Sequence, residues 1–148
     1  MYIRQAAEQD VSRIAEILVY NNRINFFPIF RDEQYSFREM QVLRIARQLL
    51  NDPERLARIW VYDDGILRGF VQIQDREIQK LYVDPFFQGR GIGAALMEFA
   101  IGLKQANRVW VLEKNHSALR FYTRHGFHPT GKRVFEEGTT EYLVELEQ

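Results

Sequence analysis

Between Leu81 and Ala100 the chain reads LYVDPFFQGRGIGAALMEFA. A strand-like run meets Pro85, glycines follow at 89, 91 and 93, and an amphipathic run begins at once. A strand that enters a helix through glycines is a ready anion site. The first amides of a helix have no partner within it, and the helix dipole adds partial positive charge there. Glycine lets the backbone take positive φ and lets an anion approach closely. Gly89, Gly91 and Gly93 therefore suit a phosphate or pyrophosphate; the alternative is that they only shape a tight turn and a close helix–sheet contact. A P-loop needs Lys-Ser or Lys-Thr after its last glycine, and here Ala94-Ala95 follow. The dinucleotide fingerprint Gly-x-Gly-x-x-Gly fails on its last interval.

The flanking pattern predicts an α/β fold. Ile3 lies in a short first strand, and Val11, Ile14, Ala15 and Leu18 recur at helical spacing, with Glu8 and Asp10 favouring the helix dipole. A second helix is expected over SFREMQVLRIARQLL, capped by Ser36 with Glu39 and burying Met40, Leu43, Ala46 and Leu50. Asn51-Asp52-Pro53 ends it. Two strands surround the turn signal Asp63-Asp64-Gly65, and REIQKLYVDP is a third strand in series. The helix after the glycines presents Ile92, Ala95, Leu96, Phe99 and Leu103 on one side. RVWVL is a strand, and NHSALRFYTRH a helix capped by Asn115 and stopped by Gly126. A hairpin around Gly138 closes the chain. The order is β, two helices, three strands, helix, strand, helix, two strands. It predicts a mixed sheet, antiparallel at first and joined by crossover helices later, in one domain spanning 1–148.

Composition narrows the function classes. Twenty basic and 20 acidic side chains cancel, so bulk charge predicts no nucleic-acid partner. The absence of cysteine excludes disulfides, thiolate metal ligands and a cysteine nucleophile. His116, His125 and His128 match no standard zinc spacing, so no metal is expected. The first residues do not read as a secretory signal, and no apolar run approaches the roughly 20 residues of a membrane span. A cytoplasmic protein with no membrane partner is the expectation.

QGRGIG, from Gln88 to Gly93, resembles the Gln/Arg-x-x-Gly-x-Gly/Ala signature of the GCN5-related N-acetyltransferases. NHSALRFYTRHGF is similar to the family's second segment at Asn115, Ala118, Tyr122, Gly126 and Phe127. The resemblance runs from about Glu77 to Phe127. It implies a mixed central sheet flanked by helices, with the fourth and fifth strands splayed apart. It also implies that acetyl-coenzyme A lies in the gap, with its pyrophosphate on the amides of Gln88, Gly89, Arg90, Gly91, Ile92 and Gly93. The pantetheine arm would pair with the backbone of Leu81, Tyr82 and Val83 and pass Asn115 and Ala118. An amide there would polarise the thioester carbonyl. Dimerisation is common in the family.

The implied chemistry is direct transfer of acetyl from acetyl-coenzyme A to a primary amine, on a small molecule or a protein. Tyr122 lies two helical turns after Asn115, so both look toward the coenzyme; it is the candidate acid, or alternatively a ring that packs and binds pantetheine. Glu77 is the candidate base, with an exposed strand-end carboxylate as the alternative. Strict alternation would put Glu77, Gln79, Leu81 and Val83 on one face. Glu113 is a weaker rival. A non-catalytic acyl-coenzyme A binding module, and a partner-binding domain with purely architectural glycines, are the competing functions. The segment YNNRINFFPIFRDEQYSF is very aromatic for a connection. Most of its rings are expected to pack beneath the helices or in a dimer contact, the alternative being an apolar wall for the acceptor.

Overall fold

A computed structural model describes residues 1–148. The strands are β1 (Ile3–Gln5), β2 (Ile59–Asp63), β3 (Leu67–Gln74), β4 (Glu77–Val83), β5 (Arg108–Leu112), β6 (His128–Phe135) and β7 (Tyr142–Glu147). They form one seven-stranded sheet in the order β1-β2-β3-β4-β5-β7-β6. All neighbours are antiparallel except β4 and β5, which are parallel. The helices are α1 (Val11–Asn21), α2 (Phe27–Phe30), α3 (Val42–Leu50), α4 (Pro53–Ala57), α5 (Ile92–Gly102) and α6 (His116–Arg124).

Two apolar clusters cover the two faces of the sheet. Ile14, Ile17 and Leu18 of α1, Ile45 and Leu49 of α3, and Leu56 of α4 pack with Val61 and Phe70 in one. Leu96, Met97 and Ala100 of α5 pack with Val71, Ile78, Val109 and Phe127 in the other. Because β3 feeds both, Phe70 to one face and Val71 to the other, its interior is buried almost without a break. Each fully buried large apolar side chain contributes about 1.5–3 kcal/mol over its exposed state.

β4 and β5 share only the pairs Glu77↔Arg108 and Ile78↔Val109. Beyond Ile78 the strands part, as the splayed fourth and fifth strands were expected to. One edge of β4 is then left without a strand partner, while its other edge still pairs with β3 through Val83. A bulge begins the divergence: Gln72 opposes Lys80 while Ile73 opposes Ile78, leaving Gln79 as the extra residue. The expected common face of Glu77, Gln79, Leu81 and Val83 is therefore broken, since one inserted residue shifts every later side chain to the other face.

The helical half departs further from expectation. The chain does not run from Ser36 into one long helix. Gln34–Glu39 is a π-helical turn, the backbone breaks at Met40 (φ −83, ψ 79), and α3 starts at Val42 with Gln41 as its N-cap. Ser36 is buried inside that turn and caps nothing. The break resets the helical phase, so Ile45, Ala46 and Leu49 face the core while Leu43 and Leu50 are exposed. A second π-helical turn, Asn22–Phe26, follows α1. The Asp52 carboxylate accepts from the Arg55 amide at 3.1 Å and starts the short α4 just beyond the end of α3. In α5 the buried face includes Met97 and Ala100, and Leu103 lies past the helix end in solvent.

Candidate active site

Two adjoining cavities lie where β4 parts from β5. The first, about 530 Å³, is lined by the β4 end, the glycine turn and α6. Gly89 (φ +79) and Gly91 (φ +81) both take the left-handed backbone that favours glycine, and Gly91 is the N-cap of α5. The first intrahelical acceptor is the Gly91 carbonyl, bonded by Ala95 N at 3.0 Å, so the amides at the start of α5 are free. Gly93 serves differently. A Cβ there would lie 3.3 Å from Phe121 Cε1 and 3.7 Å from Val83 Cγ2, so this glycine lets α5 close onto α6 and β4.

Of the residues expected to hold a coenzyme, Leu81, Tyr82, Val83, Gln88, Gly89, Gly91, Ile92, Gly93, Asn115, Ala118 and Tyr122 line this cleft together. Arg90 is the exception. Its guanidinium lies 5.4 Å from the Phe87 ring centre, whose other neighbour is Arg68 at 4.3 Å. The Asn115 carboxamide oxygen caps α6 by accepting from Ala118 N at 3.2 Å.

Asn21, at the end of α1, has a structural role. Its buried amide donates to Ile17 O at 2.9 Å and to Val83 O at 3.0 Å, tying the end of α1 to the open edge of β4. Gln88 Nε2 adds a 3.2 Å bond to the same carbonyl. Ser117, Phe121, Arg124 and His125 also line the cleft. Their spacing with Asn115, Ala118 and Tyr122 is one helical stripe, and that periodicity was the signal that could have found them.

The second cavity, about 880 Å³, lies among the α1–α3 connection, β4, β5 and the β6–β7 connection. Phe26, Phe30 and Tyr35 form part of its wall. Those rings therefore border open space, while Phe27 and Phe37 pack on each other at 5.0 Å and Tyr20 packs against the core. Asp32, Glu136, Glu137 and Glu141 also line it, with Lys80 as its basic side chain. Glu141 is engaged by Lys114 at 3.1 Å, and Asp32 accepts from the Tyr35 amide. Glu136 is half-buried, and its carboxylate has neither an ion pair nor a hydrogen bond within the protein. The π-helical turns that carry Phe26 and Tyr35 widen the helix locally, a device frequent at functional sites.

Leu81, Tyr82, Asn115, Ala118 and Tyr122 line both cavities, so the two meet there. Tyr122 is buried, with its ring against Phe121 and Phe127. Its hydroxyl has no hydrogen-bond partner in the protein and is not sealed off from the cavities. Burial, with a smaller contribution from Tyr82, raises the Tyr122 phenol above its ordinary range, and burial does the same to Tyr82. Both phenols stay protonated at neutral pH. The sequence candidates Glu77 and Glu113 are elsewhere. Glu77 accepts from Arg108 Nε at 3.3 Å where the strands are still paired, and Glu113 forms a two-bond pair with Arg133 at 2.9 Å. Neither lines either cavity.

A family model described as an acetyltransferase (GNAT) domain matches residues 55–129. The chain belongs to the GNAT acetyltransferase family. An uncharacterized N-acetyltransferase of Mycobacterium tuberculosis is 37% identical over 101 residues, covering 62% of this chain and 64% of that protein. The peptidyl-lysine N-acetyltransferase YjaB of Salmonella typhimurium is 33% identical over 92 residues, covering 61% of this chain and 63% of its own length. These matches thus span a little under two thirds of each relative. The GNAT fold is also that of the PaiA N-acetyltransferase from Thermoplasma acidophilum in complex with coenzyme A, with a TM-score of 0.65 at 19% identity over 99% of this chain and 98% of that one. No helix of this GNAT domain is long and apolar enough to cross a membrane.

Proposed function

We propose that this chain is an acetyl-coenzyme A-dependent N-acetyltransferase whose acceptor is a lysine amine of a protein segment, acting in the cytoplasm. The observation that carries this reading is the meeting of the two cavities at Tyr122. One cavity has the free amides an acyl-coenzyme A pyrophosphate needs. The other has aromatic walls for an aliphatic stem and carboxylates for its ammonium. The relatives named as peptidyl-lysine acetyltransferases support a protein acceptor over a small amine.

In this reading the coenzyme lies between β4 and β5, with the pyrophosphate at the start of α5 and pantetheine along the free edge of β4. Backbone N–H groups near Leu81 and Val83 stabilise the oxyanion that forms when the amine attacks. An alkylammonium has a pKa of roughly 10, so it must first lose a proton. Glu77 is held on Arg108 outside the cavity, so the acceptor-facing carboxylate is taken to be Glu136, which seats the ammonium and receives its proton through solvent. Tyr122 donates a hydrogen bond to the departing sulfur. A thiol titrates near about 8.5, well below a buried phenol, so this bond stabilises the thiolate and complete proton transfer follows only with an uphill step.

The test is thiol release from acetyl-coenzyme A with synthetic peptides carrying one free lysine, beside a panel of small primary amines. Turnover of the peptides supports the reading. Turnover of small amines alone removes the protein acceptor, and coenzyme binding without turnover of any amine leaves a binding module.

A further inference from the structure

The chain's lysines are Lys80, Lys104, Lys114 and Lys132. Lys114 pairs with Glu141 at 3.1 Å, and Lys132 lies 3.9 Å from Glu145. Lys104 sits over the Trp60 ring at 4.3 Å. Lys80 alone among them has no ion pair, hydrogen bond or aromatic partner, and it lines the acceptor cavity. It is half-buried, and its amine is not sealed off from the open space. The bulge at Gln79 sets its position. Tyr82, two residues on and therefore on the same face of β4, lines both cavities, so the Lys80 side chain lies beside the place where they meet and where the reacting thioester belongs in the proposed reaction.

We propose that Lys80 is a self-acetylation site: with acetyl-coenzyme A bound and the acceptor cavity empty, its Nζ takes the acetyl group. The inference rests on the coenzyme reading of the glycine cleft. The neutral amine attacks the thioester carbonyl carbon, the C–N bond forms, and the C–S bond breaks. Coenzyme A leaves as the thiolate and gains the proton that the nitrogen loses. No further reactant is needed. Burial lowers the Lys80 pKa, Arg55 of α4 lowers it further, and Glu136 from the β6–β7 connection opposes them. Tyr35 and Tyr82 line the same space and remain neutral. More of this amine is therefore unprotonated at neutral pH than in an exposed lysine. The product amide no longer attracts Glu136 and fills part of the acceptor cavity, so acetylation should compete with acceptor turnover.

The experiment incubates the whole protein with acetyl-coenzyme A and no acceptor, then reads intact mass and maps peptides over time. The expected result is one acetyl group on Lys80, gained about tenfold faster than on Lys104, Lys114 or Lys132. A single-lysine peptide at saturating concentration should slow it, and Lys80→Arg should abolish it while keeping coenzyme binding. Lys80→Gln, which imitates the amide, should lower peptide turnover. Equal modification of all four lysines, or none on Lys80 in protein that binds coenzyme and turns over amine, would overturn this inference alone. Protein that fails to bind acetyl-coenzyme A at all would overturn it together with the proposed function.

Discussion

The two cavities that meet at Tyr122 are built from opposite materials. The side proposed for the coenzyme is made of backbone: two left-handed glycines, free amides at the start of α5, and a strand edge released by its neighbour. The side proposed for the acceptor is made of side chains: aromatic rings on π-helical turns, carboxylates from the β6–β7 connection, and one unpaired lysine. Backbone recognition suits a ligand that is the same in every turnover, because amides cannot change with sequence. Side-chain recognition suits a ligand that must be told apart from others. The contrast predicts that damage on one side should leave binding on the other intact.

The largest break should come from Gly91→Glu. A side chain at φ +81 is strained by about 1–2 kcal/mol, and the carboxylate would stand where the pyrophosphate belongs. Acetyl-coenzyme A affinity should fall by about a hundredfold or more, measured by calorimetry, whereas Gly91→Ala carries the strain without the charge and should lose much less. Tyr122→Phe should lower kcat by about a hundredfold with the coenzyme KM nearly unchanged, the usual scale for losing one hydrogen-bond donor to a developing negative charge. Steady-state kinetics with both substrates would show this, and a raised coenzyme KM at unchanged kcat would instead make Tyr122 a packing residue. Glu136→Gln should raise the acceptor KM by about tenfold, equivalent to about 1.4 kcal/mol, with no change in coenzyme affinity.

The smallest effect concerns stability. Burial lowers the Lys80 pKa in the native state below its ordinary value of about 10.4. Between those two values the unfolded chain binds more protons than the native one, so this group makes stability rise with pH across that window. Lys80→Met removes the penalty. It should therefore be more stable than the wild-type protein at pH 7, with a gap that narrows toward pH 10. Denaturant titrations at the two pH values would test it.

The same contrast explains what could be read in the chain. The glycine turn, the Asn115 cap and the Gly126 stop were legible because each depends on local spacing, seen in the left-handed φ of Gly89, Gly91 and Gly126 and in the capping of α6. The splay of β4 from β5 entered through resemblance, since no local signal in either strand declares it. The other cavity was legible only as an aromatic segment offered as an alternative wall, and its geometry was not. The break at Met40 and the π-helical turns shift helical phase in a way that composition does not announce, which is why Ser36 was misread as a cap and Leu43 as core. The bulge at Gln79 likewise separated Glu77 from the side chains expected to share its face. Glu136 and Lys80 lie far apart in sequence, and only the open strand gap lets them line one cavity.

The most direct test of the account is a calorimetric titration of acetyl-coenzyme A into the wild-type protein and into Gly91→Glu, both checked for native circular dichroism. Saturable one-site binding to the wild type, lost in the variant, is the predicted result. Equal binding by both proteins would contradict the assignment of the glycine cleft as the coenzyme site.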